Sequence, residues 1–215
     1  MNRDTSGIRR DYDKDQLDES QLIANPTELF QKWLDEAIKS KNIEPTAMVL
    51  STIETDSGSP TSRVVLLKGI VNGKFRFFTN YYSRKSKEIE QNSHVSLNFF
   101  WPELEKQVRI HGNCERMSSE ASDEYFSSRP KDSQIGAWVS HQSSPLESRE
   151  IIEDQFSAMT EKFEGQEIKR PDYWGGFEIT PNYFEFWQGR VSRLHDRFEY
   201  RLKTNMSWDV QRLYP

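Results

Sequence analysis

The sequence predicts a mainly β (α+β) chain, in which short strands form a closed or nearly closed barrel and helices lie at its periphery. About seven short apolar, β-branched segments are separated by turn signals rich in Gly, Pro, Asn and Asp. Strand and helix patterns do not alternate regularly along the chain, which disfavours a doubly wound parallel sheet. The sequence also lacks the G-x-G-x-x-G dinucleotide fingerprint.

Composition indicates a globular protein with a polar surface. Of the 215 residues, 34% are hydrophobic and 29% are charged, and no apolar run approaches the ~20 residues that a membrane helix needs. The start, MNRDTSGIRRDYDKD, lacks the apolar region of a secretory signal. Because the single cysteine, Cys114, cannot form an internal disulfide, we expect a cytoplasmic protein. Because the sequence has no long apolar run, we expect no membrane partner. We expect residues 1–20 to form a mobile N-terminal arm and residues 21–215 to form a single domain.

The first predicted helix begins at Asn25, which can cap it. Pro26 suits the first helical position, and Glu28 can complete a capping box. The apolar stripe of this helix consists of Leu29, Phe30, Trp33, Leu34, Ala37 and Ile38. Strands are then predicted at 47–53, 63–71 and 74–79, with a hairpin turn at Asn72-Gly73. A short helix is predicted at 83–91.

The second half of the chain continues this alternation of strands and turns, with two further helices. Strands are predicted at 95–101, 107–117 and 174–186, and a hairpin at 194–202 and 208–213. Helices are predicted at 118–128 and 145–163, the first stopped by Arg129-Pro130. The pair Gly175-Gly176 indicates a bulge or a close backbone approach.

A basic block interrupts an acidic chain. The net charge of −5 disfavours nucleic-acid binding, yet no acidic residue lies between Arg63 and Lys87. The cations of this block are Arg63, Lys68, Lys74, Arg76, Arg84, Lys85 and Lys87. This density favours a focused anion site, and the alternative is a solvated basic strand and turn.

Two groups of polar residues are candidates for phosphate binding. Ser83-Arg84-Lys85 lies where a loop enters a helix, so free N–H groups and two cations can hold a phosphate, or Ser83 is an ordinary helix cap. Tyr125 and Arg129 share a helix face and precede Ser133, which predicts a second phosphate site; the alternative is a helix-end arginine that faces water. Arg63 and Lys68 differ by an odd number and therefore point to opposite faces of a strand unless a bulge intervenes.

The segment FWQGRVSRLHDR, residues 186–197, is the richest in reactive groups. If it is a strand, Arg193, His195 and Arg197 share one face, where three potential cations call for an anion or an electron-rich ring. His195 can exchange protons near neutral pH, and Trp187 can supply an aromatic wall. The alternative is an exposed strand face balanced by acidic neighbours. The histidine and cysteine spacings show no metal-binding pattern, so no metal is expected.

Several stretches together are similar to one family. They are PTAMVLST, RVVLLK, FFTNYYSRKSKEIEQN, EKQVRIHG, YFSSRPKDSQIGAWVSHQSS, YWGGF and FWQGRVSRLHDRFEY. They occur in the family's order from residue 26 to the end, and the chain thereby resembles the FMN-dependent pyridoxamine (pyridoxine) 5′-phosphate oxidases. The resemblance implies an FMN-binding split β-barrel with peripheral helices, present as a homodimer with FMN at the subunit interface.

The resemblance also implies residue roles. The implied FMN contacts are Arg63, Val64, Val65, Leu66, Lys68, Phe78, Thr79, Arg84, Lys85, Gln107, Gln142, Ser143, Trp187 and Arg197. The implied substrate contacts are Lys68, Tyr125, Arg129, Ser133, Arg193 and His195, together with Arg9 and Tyr12 of the N-terminal arm. Arg193 and His195 are the implied catalytic residues, beside the ring and the C4′ group of the substrate.

The implied reaction is a hydride transfer from C4′ of pyridoxine or pyridoxamine 5′-phosphate to flavin N5, after which O2 reoxidises the flavin and yields H2O2. One rival function is a non-catalytic FMN-binding split-barrel protein, although such a protein would not need a second phosphate site. A nucleic-acid-binding barrel is a second rival, which the net negative charge disfavours.

Overall fold

A computed structural model of the chain describes residues 3–8 and 10–215. Within these residues the strands are β1 Ala47–Glu54, β2 Ser59–Leu66, β3 Gly69–Val71, β4 Lys74–Asn80, β5 His94–Trp101, β6 Lys106–Arg116, β7 Trp174–Gln188, β8 Asp196–Leu202 and β9 Trp208–Leu213. The helices are α1 Pro26–Lys39, α2 Arg84–Gln91, α3 Ser119–Ser127, α4 Lys131–Val139 and α5 Arg149–Lys162, with 3-10 turns at Glu19–Gln21 and Val191–Arg193.

The strands belong to one sheet with the order β2-β1-β5-β6-β7-β4-β3, and β8 pairs with β7 while β9 pairs with β8. The pairs β3–β4, β4–β7, β7–β8 and β8–β9 are antiparallel. The mainly β prediction is confirmed. Because the path of paired strands in the described ranges begins at β2 and ends at β3, the sheet is not closed, which agrees with the nearly closed alternative and with the split barrel that the resemblance implies.

The chain divides into two compact units. We call the first the arm unit; it comprises the residues up to Val49, Ser96–His111 and Asn182–Pro215. We call the second the helical unit; it comprises Leu50–Val95 and Gly112–Pro181. The expected division into a mobile arm and a single domain stays a prediction.

The core of the arm unit is aromatic. The predicted stripe of α1 packs inward through Leu29, Phe30, Trp33 and Ala37, whereas Ile38 is 51% exposed. Phe30 lies edge-on to Phe99 with 4.8 Å between ring centroids, and Trp33 lies edge-on to Phe186 at 5.2 Å. Such pairs contribute beyond their buried area because ring edges and faces carry opposite partial charge.

The start of α1 matches its prediction closely. The Asn25 side chain accepts a hydrogen bond from the Thr27 N–H at 3.0 Å, and Pro26 occupies the first helical position. Glu28 accepts from the Asn25 side-chain amide at 3.2 Å. The expected capping box, in which Glu28 accepts from the Asn25 backbone N–H, is therefore replaced by a bond between side chains.

The helical unit has a separate apolar cluster, which consists of Phe126, Ile135, Ala137, Val139, Ile168 and Trp174. Half of this cluster comes from α4, which the sequence analysis did not predict, because Arg129-Pro130 was interpreted only as a stop. Helix α3 ends at Ser127, and Pro130, with a φ of −52°, is the N-cap residue of α4. The close approach expected at Gly175 is confirmed, since a Cβ there would lie 2.1 Å from the Tyr81 hydroxyl.

The single strand predicted at 63–71 is wrong, because it divides into β2 and β3. Between them the Lys68 N–H donates to the Arg76 carbonyl at 2.8 Å. The odd-spacing argument for Arg63 and Lys68 therefore does not apply, since Lys68 lies beyond the end of β2. The Asn72-Gly73 turn is confirmed, and both residues have the positive φ values, 52° and 77°, that a two-residue hairpin of this kind requires.

Candidate functional site

The helical unit contains a pocket of about 440 Å³, which we call the Arg63 pocket. Strand β2 forms one wall, the first turn of α2 forms another, and the segment after α4 closes the third. The lining residues are Thr61, Ser62, Arg63, Val64, Arg84, Lys85, Gln142 and Ser143. The predicted cradle at Ser83-Arg84-Lys85 thus shares a pocket with Arg63.

Glu88, on α2, organises the two arginines of this pocket. Its Oε2 lies 3.1 Å from Arg63 Nη2, and its Oε1 lies 2.9 Å from Arg84 Nε. Burial raises the pKa of Glu88, but hydrogen bonds from the Thr52 and Thr61 hydroxyls and from Arg84 outweigh burial and bring the pKa to about 2. Glu88 is therefore an anion that holds both guanidinium groups in place.

Glu88 is not among the site residues predicted from the sequence. The signal available was its position four residues after Arg84 on the predicted helix, where side chains of opposite charge meet.

Lys85 is a buried cation among neutral oxygens. Its Nζ donates to Thr79 Oγ1 at 2.9 Å, to Ser83 Oγ at 3.0 Å and to Gln142 Oε1 at 2.7 Å. Burial, and then the charge of Arg63, lower the pKa of Lys85 to about 8. A bound anion would offset both causes, so this ammonium is suited to a phosphate ligand.

The start of α2 also differs from an ordinary helix cap. The Ser83 hydroxyl lies 3.0 Å from the Ser86 hydroxyl and accepts from Lys85, and no side-chain cap bond is formed at this described end. The Arg84 N–H instead donates to Ser143 Oγ at 3.2 Å. Ser143 has a φ of 73°, and its hydroxyl group faces the start of α2.

The predicted second phosphate site lies in the same unit, at the junction of α3 and α4. Tyr125 stacks on Phe78 with 3.7 Å between centroids, and Arg129 lies 4.4 Å above the ring of Trp174. Arg129 Nη1 is buried and has no hydrogen-bond partner in the part of the chain that the structure describes. Ser133 lies in the first turn of α4. A buried donor without a partner is costly, which favours an acceptor from a ligand at this position.

The remaining predicted residues of this unit lie on strands or links. Val65 and Leu66 are half-buried at the end of β2, Phe78 is half-buried and Thr79 buried in β4, and Lys68 is exposed on the link from β2 to β3.

The arm unit contains a second pocket of about 440 Å³, which we call the His195 pocket. Its lining residues are Ile8, Arg10, Asp11, Tyr12, Arg190, Ser192, Arg193 and His195. Tyr12 of the N-terminal segment lies edge-on to His195, with 5.8 Å between ring centroids. The predicted residues Tyr12, Arg193 and His195 therefore line one cavity, while the predicted Arg9 lies outside the described residues.

The shared strand face predicted for Arg193, His195 and Arg197 is wrong. Residues Val191–Arg193 form a 3-10 turn, and β8 begins only at Asp196. Ser192 and Arg193 have φ values of 55° and 61°. The alternation of side chains that a strand imposes is lost at these residues, and Arg193 and His195 reach the pocket from irregular backbone.

His195 has one ring nitrogen already engaged. Its Nδ1 accepts from the Arg190 N–H at 3.0 Å, so the neutral ring carries its proton on Nε2. Burial, and then the charge of Arg193, lower the pKa of His195, and Asp196 opposes them. The ring also lies 4.6 Å from the centroid of Trp187.

Among the other predicted residues of the arm unit, Arg197 pairs with a buried carboxylate. Arg197 Nη2 lies 3.1 Å from Glu185 Oε1, and Arg197 stands opposite Trp187 in the β7–β8 pairing. Gln107 is half-buried in β6. Glu185 was missed by the sequence analysis, although a carboxylate within the aromatic run YFEFW was a visible signal.

Within residues 3–8 and 10–215, no three His, Cys, Asp or Glu side chains lie close enough together to share a metal ion. Helices long and apolar enough to span a membrane are likewise missing from the described part of the chain.

The open, mainly antiparallel sheet with peripheral helices defines a class, the split-barrel fold. Comparison with known proteins supports this class. The chain is 28% identical to PhzG from Burkholderia lata 383, solved in complex with tetrahydrophenazine-1-carboxylic acid; the match covers 94% of this chain and 98% of that one, with a TM-score of 0.87. An FMN-binding protein related to pyridoxamine 5′-phosphate oxidase, from Nostoc punctiforme, shares the fold with a TM-score of 0.72 at 15% identity over 90% of this chain and 100% of that chain.

Family models and curated relatives narrow the class. Residues 34–163 match the model described as pyridoxamine 5′-phosphate oxidase, and residues 174–215 match the pyridoxine 5′-phosphate oxidase C-terminal dimerisation region. Pyridoxine/pyridoxamine 5′-phosphate oxidases from Cytophaga hutchinsonii and Bacteroides thetaiotaomicron are each 48% identical, over 100% and 99% of this chain and 100% of each relative. The chain belongs to the pyridoxamine 5′-phosphate oxidase family.

Proposed function

We propose that this protein is an FMN-dependent oxidase that converts pyridoxamine 5′-phosphate and pyridoxine 5′-phosphate to pyridoxal 5′-phosphate, with O2 reduced to H2O2. For the amine substrate, water hydrolyses the imine that the oxidation yields, and ammonia is released. The observation that carries the proposal is that the chain has the His195 pocket and the buried Arg129 in addition to the Arg63 pocket. A protein that only bound a flavin would need just one of these cationic sites. The relatives named as this oxidase match along their whole length.

The Arg63 pocket fits the phosphate of FMN. Arg63 and Arg84 are held by Glu88, and Lys85 is a buried cation whose hydrogen bonds go to neutral oxygens. A phosphate dianion brings acceptor oxygens and negative charge to this arrangement, which relieves the repulsion between Lys85 and Arg63. When bound, a flavin supplies an acceptor for the hydride removed from the substrate.

The substrate phosphate is assigned to Tyr125, Arg129 and Ser133, with Lys68 as a further cation. The Arg129 guanidinium is stacked over Trp174 and keeps a buried N–H donor without a partner among the described residues. A planar guanidinium offers paired donors to phosphate oxygens, so fixing the phosphate here orients the rest of a small substrate.

Arg193 and His195 are assigned to the reacting end of the substrate. In its neutral form His195 keeps a proton on Nε2, because Nδ1 accepts from the Arg190 N–H. It can therefore donate a hydrogen bond to the amine or hydroxyl at C4′ without adding a second positive charge beside Arg193. The Arg193 guanidinium orients the pyridine ring, and Tyr12 limits access of water to the pocket.

The active form is proposed to be a cytoplasmic homodimer. The support is the match of residues 174–215 to a dimerisation region, and this range holds β7, β8 and β9. Neither nucleic acid nor a membrane is proposed as a partner, since the net charge is −5 and the sequence has no long apolar run.

Turnover tests the proposal directly. Purified protein saturated with FMN is given pyridoxamine 5′-phosphate or pyridoxine 5′-phosphate in air, and H2O2 and the aldehyde product are measured together. Unphosphorylated pyridoxamine and pyridoxine serve as the matched substrate controls, and we expect much slower turnover because they lack the group that Arg129 would bind. Bound flavin with no product from either phosphorylated substrate would show that the protein is a non-catalytic flavin binder.

A further inference from the structure

The turn between β5 and β6 contacts the N-terminal arm through a buried carboxylate. The Glu105 side chain is 1% exposed, and its Oε1 accepts from Arg10 Nη2 at 3.2 Å. Its Oε2 accepts from the Lys14 N–H at 3.1 Å. Within the described residues, both hydrogen bonds to this carboxylate thus come from the arm, so burial of the charge and docking of the arm depend on each other.

Neighbouring residues of the same turn add two contacts. Lys14 Nζ donates to the Glu103 carbonyl at 2.6 Å, and Lys106 Nζ lies 3.2 Å from Asp15 Oδ2. Lys106 is itself held at 2.5 Å by Glu36 of α1. The arm is therefore fixed at several points between residues 10 and 15, with the Glu105 carboxylate as the buried one.

The backbone of Glu105 supports the end of β7 at the same time. Its carbonyl accepts from the Gly189 N–H at 2.8 Å and from Gln188 Nε2 at 3.2 Å. Its φ of 56° turns the carbonyl and the side chain toward these different partners. One residue thus joins the arm to the strand that leads into the His195 pocket.

Tyr12 lies in the arm between Arg10 and Lys14, the two residues that bond the Glu105 carboxylate. The Tyr12 ring is edge-on to Trp187 at 5.7 Å and to His195 at 5.8 Å. It also packs on Gly189 so closely that a Cβ there would lie 2.8 Å from Tyr12 Cβ and Cγ. A shift of the arm would therefore remove Tyr12 from the wall of the pocket.

We propose that Glu105 is a positioning residue, whose buried carboxylate holds the N-terminal arm so that Tyr12 covers the substrate beside His195. This inference rests on the proposed function for its kinetic part only. We call the contacts of the Glu105 carboxylate with Arg10 and Lys14 the latch. If the latch is lost, the arm is docked for a smaller fraction of the time, and the apparent affinity for substrate falls in proportion to that fraction. The chemical step is unchanged once substrate and arm are both in place.

The test compares Glu105→Gln with Glu103→Gln. The first change removes the buried charge and keeps the side-chain size, while the second changes an exposed side chain of the same turn and leaves its carbonyl for Lys14. Hydrogen–deuterium exchange is measured without FMN or substrate. We expect faster exchange of the Lys14 amide in Glu105→Gln only, with the Leu17 amide, bonded to Asp196 Oδ2 at 3.1 Å, as an unchanged internal reference.

Steady-state kinetics supplies the second measurement. We expect KM for pyridoxamine 5′-phosphate to rise about tenfold in Glu105→Gln, because this is the effect of losing one charge-assisted hydrogen bond. The value of kcat should stay within about twofold of wild type. The exchange result does not depend on turnover, so a protein without oxidase activity would refute the proposed function and leave the latch testable.

Arg10→Ala removes the same contact from the side of the arm. Because the Arg10 side chain is 55% exposed, this variant should fold, and it replaces Glu105→Gln in the test if that variant does not fold. We expect the same faster exchange and higher KM, and a double variant no worse than either single one. Wild-type exchange at Lys14, or KM effects that simply multiply in the double variant, would overturn the proposal.

Discussion

The Arg63 pocket and the His195 pocket are built in different ways. Two walls of the Arg63 pocket are regular backbone, strand β2 and the first turn of α2, and Glu88 holds the arginines on them; Gln142 and Ser143 add an irregular third wall. The His195 pocket is lined by an arm without helix or strand and by a 3-10 turn that contains two residues of positive φ. Regular, cross-bonded elements suit a cofactor that stays bound through many turnovers, and irregular ones suit a substrate that must enter and leave.

The pockets also differ in how they handle charge. Burial and the charge of Arg63 lower the pKa of Lys85 to about 8, and a bound anion would stabilise the ammonium form. Burial and Arg193 likewise lower the pKa of His195, but the neutral imidazole has its Nδ1 satisfied by a backbone N–H. The first pocket is therefore prepared for a permanent anion, whereas the second retains a neutral proton donor beside a guanidinium.

The strongest test of this comparison removes the polar groups of the His195 pocket. We expect Arg193→Ala and His195→Ala each to lower kcat/KM for pyridoxamine 5′-phosphate by roughly 100-fold or more, the range for a group that acts on the reacting atoms. Both variants should bind FMN within about twofold of wild type, because flavin binding is assigned elsewhere. Peroxide release and fluorescence titration of FMN measure the two effects.

Lys203→Ala is a suitable control in the same unit, since Lys203 is half-exposed and paired with Asp209 on the β8–β9 hairpin. It should behave as wild type. Normal oxidation of substrate by both pocket variants would show that the roles assigned to Arg193 and His195 are wrong.

The reciprocal change is Arg63→Ala. We expect the Kd for FMN to rise about 10- to 100-fold, the loss of one or two hydrogen bonds to a charged group, while turnover recovers when FMN is in large excess. Equilibrium dialysis with FMN and assays over a range of flavin concentrations separate these effects. Arg149→Ala, on the exposed face of α5, is the matched control. Weak turnover that excess flavin does not restore would contradict a purely cofactor-binding role.

The Arg63 pocket was also the easier one to predict. Local signals indicate two of its parts: a β-branched run for β2, and a serine followed by two cations at the start of α2. Each depends on contacts between near neighbours, so the residue pattern alone contains the information. The interaction of Glu88 with Thr52 and Arg63 depends on tertiary structure, and no local pattern indicates it.

The His195 pocket could be predicted in its residues but not in its geometry. The alternation in VSRLHDR is the same whether the segment is a strand or a turn, and only the structure shows the 3-10 turn at Val191–Arg193. Positive φ at Ser192 and Arg193 is intrinsically unfavourable and is maintained by contacts such as the bond from the Arg190 N–H to His195. Likewise, α4 was missed because its cluster residues meet their partners only in the folded unit.

A smaller effect is expected in the pH dependence of FMN binding, which tests the charge of Lys85 in the Arg63 pocket. Because the pKa of Lys85 is about 8, the pocket loses a positive charge as pH rises through this value, and a bound phosphate raises the pKa again. FMN affinity should therefore fall above pH 8, by at most about tenfold per pH unit, with proton uptake on binding. Titration calorimetry in buffers of different ionisation enthalpy measures both. In Lys85→Gln, binding should be weaker and nearly independent of pH in this range, and a persistent slope would assign the proton to another group.

The smallest expected effect concerns the imidazole of His195. Its pKa lies below the ordinary value near 6.5, because burial and the charge of Arg193 disfavour the protonated ring. Removal of that charge in Arg193→Gln should therefore raise the pKa of His195, while burial keeps part of the original shift. NMR titration of the histidine ring protons measures this change, and His195→Gln assigns the resonance among the four histidines. A pKa of His195 that falls or stays constant in Arg193→Gln would mean that the two side chains do not face each other across the pocket. The proposed contrast between a charge-rich cofactor site and a site with a neutral proton donor would then be wrong.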